Sequence, residues 1–144
     1  GTFRTGIKIY ASDIDSKVLA TAKNGVYKYS SIEKMDKGLQ KQFFYRGTGP
    51  KSGMVRVVDE LREMVEFRQI NLLHDDYGFK EKMDVIFCRN VMIYFDKPTQ
   101  YKVLNNLVGN MKQDSLYIAG HSEHFQEATH LLKPVGKTIY APVR

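Results

Sequence analysis

Met83-Asp84-Val85-Ile86-Phe87-Cys88-Arg89-Asn90-Val91-Met92-Ile93-Tyr94-Phe95-Asp96 is the stretch on which the fold turns. Its first six residues form a nearly continuous apolar run, as expected for a strand buried on both faces. The run ends in Arg89 and Asn90, so these polar side chains face the mouth of any crevice at the strand's C-terminal end. Tyr94 follows on the loop. Asp96 suits a helix cap with Pro98 in the first turn, and Tyr101, Leu104, Leu107 and Met111 recur at helical spacing. Leu116 to Ala119 is a second buried strand. Strand, loop, helix and strand in this order imply an α/β domain with a largely parallel sheet and a ligand crevice at the strand C-termini.

Toward the N-terminus the same rhythm appears. Ile7 to Ala11 reads as a strand ending in Ser12-Asp13, and Asp15 or Ser16 suits the N-cap of a following helix. Val18, Leu19 and Ala22 give that helix an apolar face, and Gly25 suits its C-terminal stop. Tyr27 to Met35 reads as an irregular connection and Lys37 to Phe44 as a short helix. Arg46 to Gly53 is rich in turn residues. Met54 to Val58 and Met64 to Ile70 alternate apolar and polar side chains. They are expected to form an antiparallel hairpin or three-stranded sheet over about 44–66, inserted into the larger domain. Leu131 to Ala141 reads as a closing hairpin that turns at Pro134-Val135-Gly136.

The 144 residues suffice for about one domain. Hydrophobic residues make up 42% and charged residues 26%, ordinary for a soluble globular protein. No apolar run approaches the roughly 20 residues of a membrane span, and the start, Gly1-Thr2-Phe3-Arg4, has no apolar core of a signal peptide. Cys88 is the only cysteine, which excludes an intramolecular disulfide and points to the cytoplasm. The net charge of +6 fits either a solvated basic surface or attraction to an acidic partner, nucleic acid or a Glu-rich protein face. His121 and His124 lack a third ligand, so no metal site is expected. His121, Ser122 and Glu123 are consecutive, cannot converge as a triad, and are read as a loop and helix start.

Asp13, directly after a strand, is placed to accept hydrogen bonds from both hydroxyls of a ribose, or else to cap the next helix. Asn71 has one amide donor and one acceptor to offer an adenine edge, or else it is a turn residue.

The segment Phe87 to Asp96 resembles the signature of chemotaxis receptor methyltransferases of the CheR type, and so does Gly120-His121-Ser122-Glu123. Tyr10 to Asp15, Arg46-Gly47-Thr48-Gly49-Pro50 and Asn71-Leu72-Leu73 match the same family in the same order. The likeness runs from about Gly6 to the C-terminus. It implies a Rossmann-like, S-adenosylmethionine-dependent methyltransferase fold with a small inserted antiparallel β-subdomain. The implied activity is methyl transfer from S-adenosylmethionine to receptor glutamate carboxylates, with S-adenosylhomocysteine as product. By the same resemblance Asp13 holds the cofactor ribose, Asn71 and Leu72 border the adenine, and Arg89 and Asn90 line the floor near the methionine part. Tyr94 sits beside the transferable methyl, either orienting the carboxylate or packing against the methyl; Tyr94 and Arg89 are the catalytic candidates.

The Gly47-Thr48-Gly49-Pro50 loop resembles the family form that docks the receptor's C-terminal peptide. An exposed strand edge accepts an extended peptide, glycines allow close backbone approach, and Arg56 can pair with a peptide carboxylate. The alternative is that Gly47, Gly49 and Gly53 simply make tight turns. The expected partners are the cytoplasmic domain and C-terminal peptide of chemotaxis receptors, with no nucleic acid and no membrane insertion. The family's small helical N-terminal domain and its cofactor motif on the first strand have no counterpart here. The chain therefore resembles an incomplete C-terminal catalytic domain. Ile7 to Ala11 and Met83 to Cys88 should each show an unpaired inner edge, and the isolated piece is not expected to be a stable, active monomer. A receptor-tail binding module without catalysis and a nucleic-acid methyltransferase are the competing functions.

Overall fold

The computed structural model describes residues 6–125 and 128–143. The first four residues, on which the signal-peptide argument rests, lie outside the described residues. The chain divides into two compact units, Gly1–Asn71 and Leu72–Arg144.

In the first unit, strand β1 (Ile9–Asp13) leads into helix α1 (Ser16–Asn24). The Asp15 carboxylate caps this helix by accepting from Lys17 N–H, and Gly25 ends it in the left-handed conformation at φ 69°. The strand sits two residues later than its apolar run suggested, so Asp13 is its last residue rather than the first of a loop. Strand β2 (Val26–Lys28) follows, where an irregular connection was expected. Three residues are too few for alternation to register. Helix α2 (Lys37–Phe43) is capped by Asp36, and β3 (Phe44–Arg46) and β4 (Met54–Val57) come next. The short helix α3 (Asp59–Glu63) then precedes β5 (Val65–Gln69).

The pairing corrects the expected inserted sheet. β5 does not join β4 in a hairpin; it pairs in parallel with β1, from Ile9 opposite Val65 to Asp13 opposite Gln69. The intervening α3 replaces the tight turn that a hairpin requires. The small antiparallel sheet has the order β2-β4-β3, so one strand comes from residues 26–28, outside the expected 44–66. Val55, Val58 and Ile32 form its apolar interior. Gln40 is buried among them and fully engaged. Its amide donates to the carbonyls of Ile32 (3.0 Å) and Met35 (2.8 Å), and its side-chain oxygen accepts from Tyr29 OH (3.0 Å). The Arg46 guanidinium lies over the Tyr29 ring, 4.5 Å from its centroid.

In the second unit, β6 (Met83–Cys88) and β7 (Met111–Ala119) are parallel and joined through helix α4 (Lys97–Gly109). The Asp96 carboxylate accepts from Thr99 N–H and Pro98 occupies the first turn, as the sequence predicts. β8 (Leu132–Gly136) and β9 (Ile139–Pro142) complete a mixed sheet of order β6-β7-β9-β8. The hairpin turns at Lys137-Thr138, not at Pro134 to Gly136. Thr138 takes the left-handed turn position (φ 63°), while Pro134 stands in edge strand β8, where a missing N–H costs least.

The core of this unit holds Val103, Leu104, Met111, Tyr117 and Leu132, with Tyr117, Phe125 and Tyr140 meeting edge to face. β6 is not buried on both faces: Cys88 is buried but Phe87 is 69% exposed. Among the described residues β1 pairs only with β5 and β6 only with β7, so each keeps one unpaired edge. No helix among them is long and apolar enough to cross a membrane, and no group of three or more His, Cys, Asp or Glu is arranged to hold a metal.

Candidate functional site: two strand ends and a buried carboxylate clamp

The two parallel strands of the second unit end in adjacent register, Cys88 opposite Ala119. Each is followed at once by a loop, Arg89 to Phe95 after β6 and Gly120 to Phe125 after β7. Arg89 and Asn90 are exposed, Met92 is buried, and a 3₁₀ turn over Met92–Tyr94 leaves Tyr94 81% exposed. The Tyr94 hydroxyl has no hydrogen bond among the described residues. Asn90 is left-handed at φ 61°, a conformation that asparagine tolerates better than most residues.

Gln100 holds the far end of this loop, its amide donating to the carbonyls of Met92 (2.9 Å) and Phe95 (3.0 Å), and the start of the loop is held by Glu123. Its side chain is 4% exposed. One carboxylate oxygen accepts from Asn90 N–H (2.8 Å) and Gly120 N–H (2.9 Å), and the other accepts from Met92 N–H (2.8 Å). A buried carboxylate is tolerable because three amide donors replace its water. The same bonds satisfy backbone groups that the left-handed bend at Asn90 removes from regular structure. Gly120 permits the close approach: a Cβ there would lie 2.4 Å from Asn90 Oδ1 and 3.0 Å from Glu123 Oε1. Sequence reasoning missed this role, reading Glu123 as part of a loop and helix start. The available signal was its setting between the Leu116–Ala119 run and Phe125, where a buried acid must find donors.

Behind the clamp, burial pushes the Cys88 thiol above its ordinary range, with the Tyr117 hydroxyl opposing and the Glu123 carboxylate adding to the shift. Burial also raises Tyr117, and the neighbouring Cys88 thiol adds to the shift. Both groups stay neutral and make poor nucleophiles. Leu72 belongs to this unit, and its carbonyl accepts from Tyr77 OH at 2.7 Å.

The first unit carries the other expected residues. Asp13 ends β1 and Asn71 lies just beyond β5, so both stand at the C-terminal end of the β1–β5 pair. One Asp13 carboxylate oxygen accepts from Asp15 N–H at 2.9 Å, which fixes the side chain, while the other has no partner among the described residues. Gly47, Thr48 and Gly49 form the loop between β3 and β4, and Arg56 is exposed on β4, the central strand of the small sheet. A Cβ on Gly47 would lie 2.0 Å from the Lys51 carbonyl oxygen, so Gly47 serves the loop's own tight turn.

The family model for the S-adenosylmethionine-binding domain of CheR methyltransferases matches residues 1–141, and the chain belongs to that family. It is 54% identical over 142 residues to chemotaxis protein methyltransferase 2 of Pseudomonas aeruginosa, covering 99% of this chain and 51% of that one. It is 46% identical to the chemotaxis protein methyltransferase of Salmonella typhimurium (93% of this chain, 46% of that one). Against the Escherichia coli protein of the same name the identity is 43% (93% and 47%). The chain spans about half the length of the curated relatives it matches. Membership fixes the fold class as that of an S-adenosylmethionine-binding α/β domain, in line with the resemblance read from the sequence.

Proposed function

We propose that this chain forms the cofactor-binding part of a cytoplasmic enzyme that methylates glutamate side chains of chemotaxis receptors. The products are glutamyl methyl esters and S-adenosylhomocysteine. The observation that carries the reading is the identity, along nearly the whole chain, to proteins named chemotaxis protein methyltransferases.

The residues present suit the cofactor. An exposed carboxylate at the end of a parallel strand, anchored through one oxygen and without a partner among the described residues at the other, matches a ribose diol. Asn71 and Leu72 flank the adenine, and Arg89 and Asn90 line the methionine end. When bound, S-adenosylmethionine supplies an electrophilic methyl carbon on a sulfonium. The acceptor glutamate is already ionised near pH 7, since its reference pKa is about 4.3. No general base is needed, and the chain's neutral Cys88 and Tyr117 provide none. The protein's task is to align the carboxylate and exclude water. Tyr94, exposed and with its hydroxyl unclaimed among the described residues, orients the incoming carboxylate.

The small sheet β2-β4-β3 serves receptor recognition in this reading. The receptor's C-terminal peptide lies along an outer strand edge next to Thr48 and Gly49, and Arg56 pairs with a peptide carboxylate. Gly47 acts indirectly, by shaping the loop.

The test is to incubate the native full-length protein with a receptor cytoplasmic domain and methyl-labelled cofactor. Base-labile, volatile label on the receptor is the expected result, as methyl esters release methanol in alkali. Intact S-adenosylhomocysteine binding without such label would refute the acceptor assignment. Absence of cofactor binding would favour a pure docking module, and salt-sensitive affinity for RNA or DNA would favour a nucleic-acid substrate.

A further inference from the structure

We infer that Glu123 is a positioning residue for methyl transfer: its buried carboxylate, by holding the amides of Asn90, Met92 and Gly120, sets the geometry in which Arg89, Asn90 and Tyr94 meet cofactor and substrate. The inference rests on the reading that this loop lines the reacting site.

Three structural features carry it. The carboxylate touches the loop through its backbone alone, with all three bonds between 2.8 and 2.9 Å. The two Arg89–Tyr94 loop amides that it holds are two residues apart and flank Val91. One belongs to the left-handed residue next to Arg89, and the other begins the 3₁₀ turn that presents Tyr94. Finally, the clamp ties the end of β6 to the end of β7. Those two strands are already fixed by their parallel ladder, so the loop inherits its position from the sheet rather than from its own exposed residues. The Gln100 amide holds the far end of the loop by donating to the Met92 (2.9 Å) and Phe95 (3.0 Å) carbonyls, while the Asn90 end, next to Arg89, is held by Glu123.

The requirement is for an acceptor-only group. An amide oxygen in place of one carboxylate oxygen still accepts, but the adjoining NH₂ faces a backbone N–H and repels it. Glu123→Gln preserves volume and fails chemically; Glu123→Asp shortens the arm but keeps every acceptor. A residue that merely filled space would show the opposite order, since the isosteric change is then the milder one.

The experiment uses the native full-length protein at a temperature where circular dichroism shows each variant folded. S-adenosylhomocysteine Kd is measured by calorimetry, methyl transfer by single-turnover labelling, and the amides of Asn90, Met92 and Gly120 by hydrogen exchange. For Glu123→Gln the expected result is about tenfold or more weaker binding and slower transfer, with faster exchange at the three amides. Glu123→Asp should lie between this and the parent. Gly120→Ala perturbs the clamp from the other side, leaves the carboxylate in place, and should reproduce the loss; it keeps the inference testable if Glu123 variants do not fold. Unchanged amide exchange in Glu123→Gln, or an Asp variant worse than Gln in both Kd and rate, overturns the clamp itself. Faster amide exchange with parental Kd and rate also overturns the positioning role, and it does so by showing that the loop reading has failed.

Discussion

Asp13→Asn separates the cofactor role of this residue from its local structural one. In the structure one carboxylate oxygen accepts from Asp15 N–H at 2.9 Å, and the other has no partner among the described residues. An asparagine oriented by that same donor keeps its carbonyl on Asp15 and turns its NH₂ outward, so the bend entering α1 survives. What is lost is a charged acceptor facing the ribose. Hydrogen bonds to charged groups contribute about 1.5–3 kcal/mol, and each 1.4 kcal/mol is a tenfold change, so Kd should rise by roughly ten- to a hundredfold. Asp13→Ala loses the Asp15 bond as well, an exposed contact of about 0.5–1.5 kcal/mol, and its Tm should fall by a few degrees. Calorimetric titration of S-adenosylhomocysteine into the native protein, with thermal melts of both variants, measures each effect. A Kd for Asp13→Asn within about twofold of the parent, at unchanged Tm, would refute the ribose assignment.

Tyr94→Phe should leave Tm and cofactor affinity unchanged, because the side chain is 81% exposed and its hydroxyl has no hydrogen bond among the described residues, while slowing single-turnover transfer; a parental rate would reject the orienting role. Arg56→Ala should weaken receptor-peptide binding and spare cofactor binding, and equal loss of both by calorimetry would indicate unfolding instead. Gly47→Ala forces a Cβ to 2.0 Å from the Lys51 carbonyl oxygen and should destabilise the protein by about 1–3 kcal/mol, read as a lower urea midpoint. Alkaline pH should destabilise the fold, because burial raises Tyr77, Cys88 and Tyr117 in the folded chain. Below the ordinary thiol and phenol ranges both states are protonated and the profile is flat. As pH rises past about 8.5 and then about 10, the unfolded chain ionises first, so the urea midpoint should fall; a flat midpoint from pH 7 to 11 would contradict the burial of all three.

The sequence disclosed the elements whose signals are local. The Asp96-Lys97-Pro98 start of α4 and the Asp15 and Gly25 ends of α1 follow from capping chemistry that needs no tertiary partner. Arg89 and Asn90 marked the end of β6 for the same reason: the apolar run stops where the strand does. Pairing was less legible. Met64 to Ile70 has the alternation of a strand, but alternation does not name a partner, and five helical residues at Asp59–Glu63 redirected it from β4 to β1. Val26–Lys28 went unseen because its stabilisation comes from β4, through pairing of Val26 with Arg56 and Lys28 with Met54.

Glu123 shows most clearly where local reading stops. Read along the chain, Gly120-His121-Ser122-Glu123 is a polar tetrapeptide after a strand, and a surface turn is the economical expectation. Its actual constraint comes from amides more than 30 positions away, which become neighbours only because β6 and β7 run parallel and end together. A short run of backbone donors around a left-handed residue creates a local need for negative charge, and burial makes that need strict, since no water can substitute. The acid is therefore specified by the backbone shape of another loop rather than by any side chain. Gly120 is specified in the same way, by the Asn90 side chain above it. The two residues that looked structurally ordinary thus carry the geometry, while the exposed Arg89 and Tyr94 that looked functional depend on it for their place.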